Sequence, residues 1–299
     1  RQGWTITNTA SQSLPLAVDL DGTLTRGDVF FEGVLQLVFE KPWLIPFLLS
    51  WLARGRAVAK ARLARLFPVD PTQLAYDGRV LAWLREEHAR GRALALASAS
   101  DQAVVASIAG HLGLFDAVFA SAGRGNLKCA RKAAKLVEAY PDGFVYAGNE
   151  RADLAVWARA KAAIIANAAP GLERRAARAF AVERVFARAH SPWISFARAL
   201  RPELWGFSLL VLPPLLALRG WTSGAVWASA LIAALALACL LSAGSLIRDL
   251  ARLQADRRDL KRSERPIASG ALAPVWALAG ALGLLLLGAL SALAAIRIG

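Results

Sequence analysis

Between Leu14 and Ala168, short apolar runs alternate with stretches in which apolar residues recur every three or four positions. The runs 16–20, 93–97, 117–120, 144–147 and 163–166 are too short for helices and too apolar for a half-solvated surface, so they predict strands buried on both faces. The intervening segments 79–90, 102–112 and 128–139 have helical spacing. Strands alternating with helices predict an α/β, Rossmann-like parallel sheet whose ligands sit at the carboxyl ends of the strands. Between the first two strands lies a longer insert, about 28–77, with an apolar, Trp-bearing segment at 43–51 and a basic continuation from Arg54 to Arg65. Such a segment can lie on a membrane. Trp83 and Trp157 fall on core-facing positions, and His88, His111 and His190 have no ligand spacing.

The pattern changes in the last third. Residues 220–247 and 266–296 contain no charged side chain, and a helix needs only ~20 apolar residues to cross a bilayer. A shorter stretch, 204–218, contains Pro213 and Pro214 and is bounded by Trp205 and Arg219, a pairing suited to membrane interfaces. Three transmembrane helices are therefore expected, at about 202–219, 221–247 and 267–296. The chain divides accordingly into a domain at 1–190, carrying the insert, and an all-α membrane domain at 191–299.

Composition agrees with this division. Of 299 residues 56% are apolar, the mean hydropathy is +0.41 and the net charge is +14, which excludes disorder and an ordinary soluble chain. No zinc spacing or basic helix interleaved with stacking aromatics accompanies the charge, so no nucleic-acid partner is expected. An anionic lipid surface is the economical partner, at ~1 kcal/mol per basic side chain. Seven basic residues fall between Arg248 and Arg265 against one, Arg219, in the preceding loop. The positive-inside rule then places the long loop and the first domain on the cytoplasmic side of a multi-pass inner-membrane protein. Cys129 and Cys239 are the only cysteines, so no disulfide framework is expected. Residues 1–13 are polar and do not read as a signal peptide, and the absence of any Met suggests a fragment or a processed chain.

At the end of the first predicted strand stands Asp19-Leu20-Asp21-Gly22-Thr23, two carboxylates at i and i+2 leaving a strand into a Gly turn. One side chain can attack while the other exchanges a proton. This segment resembles the first motif of the haloacid dehalogenase superfamily of phosphohydrolases, and by that resemblance the insert at about 28–77 looks like the helical cap that such phosphatases place over the site. The resemblance implies Asp19 as nucleophile, through an aspartyl-phosphate, and Asp21 as general acid and base. It implies Ser98, after Leu94-Ala95-Leu96-Ala97, as a phosphoryl ligand, with Ser100 or Asp101 capping the next helix. The Lys that balances the phosphate's charge is expected at Lys128, with Lys132 one turn later as the competitor. Magnesium (Mg2+) would be held by Asp19, Asp21, Asn149 and Asp153. Asn149 stands where the family's Gly-Asp-x-x-x-Asp pattern has its first Asp, a change that lowers the charge offered to the metal.

The segment Asp256-Arg257-Arg258-Asp259-Leu260-Lys261-Arg262-Ser263-Glu264-Arg265-Pro266-Ile267-Ala268-Ser269-Gly270 resembles the first aspartate-rich motif of the UbiA superfamily of intramembrane prenyltransferases, which runs N-D-x-x-D-x-x-x-D-R and later R-P-x-x-S-G. Asp249 and Asp256 occupy acidic positions of the motif and Arg257 and Arg265 its basic ones. Arg248 replaces the Asn and Arg252 the middle Asp, while Phe207 and Ser208 stand where Lys and Asn are expected. Arg252 is expected to pair with Asp249 or Asp256 along the helix face. The resemblance covers about a third of that family's bundle and implies a partial one.

Together the two resemblances imply a membrane-bound enzyme of polyprenyl metabolism. A UbiA-type domain would act on a polyprenyl phosphate or diphosphate and a phosphorylated small-molecule acceptor, beside a magnesium-dependent phosphatase. Two alternatives stay open: a membrane-anchored phosphatase with a vestigial transferase half, and a non-catalytic lipid-phosphate-binding scaffold.

Overall fold

The computed structural model describes residues 14–121, 130–189, 191–213 and 223–298. The chain forms two compact units, Arg1–Ala189 and His190–Gly299.

The first unit is built on a six-stranded, all-parallel sheet. Its strands are β1 (Leu16–Val18), β2 (Leu94–Asp101), β3 (Ala117–Ser121), β4 (Val145–Gly148), β5 (Ala162–Ala166) and β6 (Val182–Phe186), in the order β3-β2-β1-β4-β5-β6. The five predicted strands are all present. β6 is additional: its sequence Val-Glu-Arg-Val-Phe is half polar because it forms an exposed edge. Glu183 there pairs at 2.6 Å with the buried Arg92, which also takes Glu87 at 2.9 Å, and Arg184 lies over the Trp83 ring at 5.3 Å.

Helices α4 (Gly78–Ala89), α5 (Gln102–Leu112), α6 (Ala130–Ala139), α7 (Leu154–Trp157) and α8 (Pro170–Ala179) connect and cover the strands. One face of the sheet packs Leu16, Val18, Leu96 and Ile164 against Val80, Leu84, Val105 and Ile108. The other packs Ala17, Tyr146 and Ile165 against Leu136, Trp157 and Leu172. Full burial of a large aliphatic or aromatic side chain contributes ~1.5–3 kcal/mol. Val18 is in register with Leu96 on one side and Ala147 on the other, so β1 and β4 end at nearly one level while β2 runs on past them to Asp101. The strand order reverses between β1 and β4, which opens a crevice there.

The insert is helical: α1 (Val29–Glu40), α2 (Ile45–Ala53) and α3 (Arg56–Leu66), with short 3₁₀ turns at Pro42–Leu44 and Pro71–Gln73. Its small core is Leu37, Leu48, Leu63 and Phe67. The entering and returning strands of chain pair with each other, through Arg26 N–H to Ala75 O and Asp77 N–H to Leu24 O. Asp77 fastens this stalk. Fully buried, it caps α4 through Arg79 N–H, takes the Arg79 guanidinium at 2.8 Å and the Asn167 amide at 2.9 Å, and lies 3.5 Å from Arg26.

In the second unit α9 (Pro192–Ala199) leads to a 3₁₀ helix at Pro202–Val211, and α10 (Gly224–Ala251), α11 (Leu253–Arg258) and α12 (Pro274–Ile298) follow. Only α10 and α12, among the described residues, are long and apolar enough to cross a membrane. Of the three expected helices, the first, 202–219, falls partly outside the described residues. Residues 202–211 coil as 3₁₀, residues 214–222 lie outside the described part, and the last helix starts at Pro274 because 267–273 fold as turns. α10 and α12 meet closely where Gly288 faces the Ala236 carbonyl, which a Cβ would approach to 3.3 Å. Trp205 Nε1 donates to Ser242 Oγ at 2.9 Å, and that hydroxyl donates to Leu200 O at 3.0 Å.

The Asp77 cluster carries a prediction. Burial raises the Asp77 pKa, but the bonds from Arg79 and Asn167 and the nearby Arg26 outweigh it and hold the carboxyl below its ordinary value. A lowered folded-state pKa means stability that is present above the unfolded value, about 3.9, and is lost as the pH falls below it. Asp77→Asn is expected to cost about 2 kcal/mol at neutral pH, through the weakened cap and lost ion pairs. In thermal unfolding across pH, the variant's stability should fall less steeply than the wild type's below about pH 4.

Candidate active site

The site is assembled where β1, β2 and β4 end. Asp19 follows β1 directly, and its N–H donates to Ala147 O at 3.0 Å, so the first carboxylate is fixed by the sheet itself. Gly22 then turns the chain with φ +78. That φ favours glycine, and a Cβ there would also displace the Asn149 side-chain amide. Thr23 Oγ1 donates to Asn149 Oδ1 at 3.3 Å across the same gap.

Asp19 Oδ1 accepts from Lys132 Nζ at 2.7 Å, with both side chains largely withdrawn from solvent. The ammonium also donates to Tyr146 Oη at 2.8 Å, and that hydroxyl donates to Asp153 Oδ1 at 2.9 Å. Asp153 Oδ2 takes the N–H groups of Asn149 and Glu150, each at 2.9 Å. A chain of charge-assisted bonds thus runs from β1 through α6 and β4 to the turn after β4. Gly148 leaves room for it, since a Cβ would come within 2.7 Å of the Asp153 carboxyl.

Asp21 is held on the other side. Its Oδ1 accepts from Val29 N–H at 2.9 Å, at the start of α1, and its Oδ2 from Ser100 Oγ at 3.0 Å. Burial pushes the pKa of both aspartates up: for Asp19 against the lowering effect of Lys132, and for Asp21 with a further push from Asp28. Burial lowers the Lys132 pKa, yet the neighbouring Asp19 and Asp153 outweigh it and hold the ammonium charged.

Lys128 lies outside the described residues, and Lys132 is the ammonium found on Asp19. Ser98 is fully buried, and its Oγ accepts Ser100 N–H at 3.0 Å. Ser100, expected only as a helix cap, instead touches Asp21, and Asp101 supplies the cap through Ala103 N–H. Tyr146 was not singled out among site residues. Its cue was a lone hydroxyl within the otherwise apolar 144–147 run, buried in β4.

The donors available to a metal are Asp19, Asp21, Asp153 and the Asn149 amide oxygen, all hard oxygens. Among the described residues no group of three or more His, Cys, Asp or Glu forms a ready-made cage. Asp153 is buried and Asp19 and Asp21 half-buried, and against these three carboxylates stand two ammoniums, Lys132 and, toward Asp21, Lys60, so net negative charge remains. Such a site suits a cation that uses one or two carboxylates and takes its remaining ligands from water and phosphate, as magnesium does.

In the second unit the aspartate-rich segment folds differently from the expected helix-face pairing. Asp249, buried in α10, is bound by Arg201 at 2.9 Å and lies 3.4 Å from Arg265. Asp256, buried in α11, takes Arg265 at 2.9 Å, with Arg262 3.7 Å away. Arg257 Nε donates to Ala268 O at 3.1 Å, tying the Arg-Pro loop to α11. Arg252 is exposed and takes part in none of these pairs; it sits at φ −106, ψ 15, between α10 and α11.

No protein-family model matches the chain. The uncharacterized protein y4nM of Sinorhizobium fredii is 33% identical over 261 residues, which are 87% of this chain. The chain spans about half the length of that relative, 50%. Among solved structures, a protein of unknown function from Bordetella pertussis Tohama I covers 59% of this chain and 99% of its own, at 19% identity and a TM-score of 0.44. A predicted phosphatase from Clostridium acetobutylicum covers 58% and 94%, at 17% identity and a TM-score of 0.44. A HAD family hydrolase of Salmonella enterica serovar Typhi covers 59% and 68%, at 16% identity and a TM-score of 0.42.

Proposed function

We propose that the first unit is a phosphohydrolase of the haloacid dehalogenase type, tethered to a membrane by the second unit. The observation that carries the reading is the pair of aspartates at the reversal point of the sheet: Asp19 on the Lys132 ammonium and Asp21 between Val29 N–H and the Ser100 hydroxyl. In this reading an Asp19 carboxylate oxygen attacks the phosphorus of a phosphomonoester, and the ester P–O bond breaks. Asp21, whose raised pKa suits it to carry a proton, gives that proton to the departing oxygen. Water then attacks the phosphorus of the aspartyl-phosphate and gives its proton to Asp21. Phosphate leaves, and the Asp19 carboxylate is restored. Lys132 balances charge throughout, and Ser98, with its oxygen already accepting Ser100 N–H, is positioned to donate its hydroxyl proton to a phosphoryl oxygen. Magnesium, held by Asp19, Asp21, Asn149 and Asp153, would neutralise the phosphoryl oxygens.

The second unit, in the same proposal, is the beginning of a UbiA-type prenyltransferase domain, with the first unit on the cytoplasmic side. What supports this is the Arg265-Pro266 to Gly270 sequence beside Asp249 and Asp256 and the two long apolar helices. The transferase chemistry, on a polyprenyl phosphate and a phosphorylated acceptor, would belong to the longer protein. Here Arg201 and Arg265 already neutralise both carboxylates.

Asp19→Asn is expected to abolish release of phosphate from a generic aryl phosphate while leaving the domain folded, because the amide fills the same space and its oxygen can still accept from Lys132 but it cannot form the acyl phosphate. Near wild-type hydrolysis by this variant would refute the nucleophile assignment. Asn149→Asp is expected to tighten magnesium binding measured by calorimetry, since a charged oxygen replaces a neutral one without change of shape. Without magnesium the same variant should unfold at a lower temperature, because a fourth carboxylate joins three. Unchanged magnesium affinity would remove Asn149 from the metal's ligands.

A further inference from the structure

The insert presents a surface that the phosphatase reading does not use. Residues 41–69 contain six basic side chains, Lys41, Arg54, Arg56, Lys60, Arg62 and Arg65, and no acidic one. Within them α2 has the sequence Ile-Pro-Phe-Leu-Leu-Ser-Trp-Leu-Ala, with no charge at all. Of its large apolar side chains only Leu48 is buried; Phe47 is 56% exposed and Leu49 62%, and Trp43 in the turn before is 67% exposed. A shallow hollow beside α2 is lined jointly by Leu44, Phe47, Trp51 and Leu66 and by the guanidinium-bearing Arg62 and Arg65.

We infer that this face of the insert docks on an anionic phospholipid bilayer, with α2 and Trp43 entering the headgroup boundary and the arginines meeting lipid phosphates. Three observations favour a bilayer over a protein partner. A partner protein covers one stripe of a helix, whereas α2 exposes apolar side chains around nearly its whole circumference. Nine residues make a helix only ~14 Å long, which suits lying in the interface and is too short to span it. The basic flanks have no acidic residue among them to match an ordinary protein surface, but they complement anionic headgroups. The inference is independent of the phosphatase assignment, since Trp43, Phe47, Leu49, Arg62 and Arg65, on which it rests, take no part in the contacts of Asp19 or Asp21.

The test uses the full chain reconstituted into vesicles of phosphatidylcholine alone or with phosphatidylglycerol. Cys129→Ser and Cys239→Ala clear the background, and Phe47→Cys carries an environment-sensitive nitrobenzoxadiazole label, with Glu86→Cys on exposed α4 as the control. The expected result is a blue shift of the Phe47→Cys label and its quenching by nitroxide-bearing acyl chains in anionic vesicles, with the Glu86→Cys label unaffected. Arg62→Gln with Arg65→Gln should weaken the docking equilibrium by about 25-fold, near fivefold per basic side chain. Equal responses from the two labels, or an equal response in phosphatidylcholine alone, would overturn the inference. A blue shift already present in detergent would overturn it as well, a concentration-dependent one assigning the face to a second copy and a concentration-independent one to the chain's own second unit. Aryl phosphate hydrolysis, followed in the same samples, should be unchanged by the double substitution.

Discussion

The Asp19–Lys132 pair is the constraint on which the first unit's active end depends. Removing a carboxylate or ammonium from water costs several kcal/mol per ion, and here Asp153 and Lys132 are buried and Asp19 and Asp21 half-buried within a few side chains of each other. One contact cannot offset that. The arrangement is tolerable because every member is tied into secondary structure: Asp19 by β1 and β4, Lys132 by α6, Asp153 by two N–H groups after β4, and Tyr146 by its place inside the sheet. The net negative charge that remains is a property a phosphate-handling site can use, since a bound cation removes the excess.

The sheet was legible because parallel strands buried on both faces must be apolar without interruption, and 16–20, 93–97, 117–120, 144–147 and 163–166 obey that rule. β6 escaped it for the converse reason. As an edge it needs only one paired side, so Glu183 and Arg184 are allowed, and their value lies in contacts to Arg92 and Trp83 that are remote in sequence. The 3₁₀ path of 202–211 escaped because apolar length alone does not distinguish helix types.

Within the site, the motif residues that follow strands were legible, since a carboxylate at a strand end is placed by the strand. The ammonium was harder. Lys128 and Lys132 are four positions apart in the sequence, so helical spacing could not choose between them; Lys132, on α6, reaches Asp19 through the packing of helix on sheet, and Lys128 lies outside the described residues. Ser100 was hidden in the same way. The chain after Ala97 stays extended as far as Asp101 through an irregular register with β3, and this carries the Ser100 hydroxyl round to Asp21.

The second unit shows where local rules of charge pairing stop. Arg252, between α10 and α11, turns to solvent although the backbone bond from Asp256 N–H to its carbonyl is intact, because Asp249 and Asp256 are already taken by arginines from outside α10 and α11. Arg201 reaches Asp249 with both carboxylate oxygens in range, at 2.9 and 3.1 Å, while its own backbone sits at φ +54. A non-glycine residue in that region costs of order 1 kcal/mol, and a partly buried, two-point guanidinium bond is strong enough to hold it there. Arg265 completes the arrangement by lying 3.4 Å from Asp249 and 2.9 Å from Asp256, which binds the end of α10, the short α11 and the Arg-Pro loop into one knot. The same arginines that make this unit a defined structure occupy the carboxylates that a divalent cation would need. A cation there must compete with two guanidinium groups already in place, whereas at Asp19 it would meet a site with charge to spare.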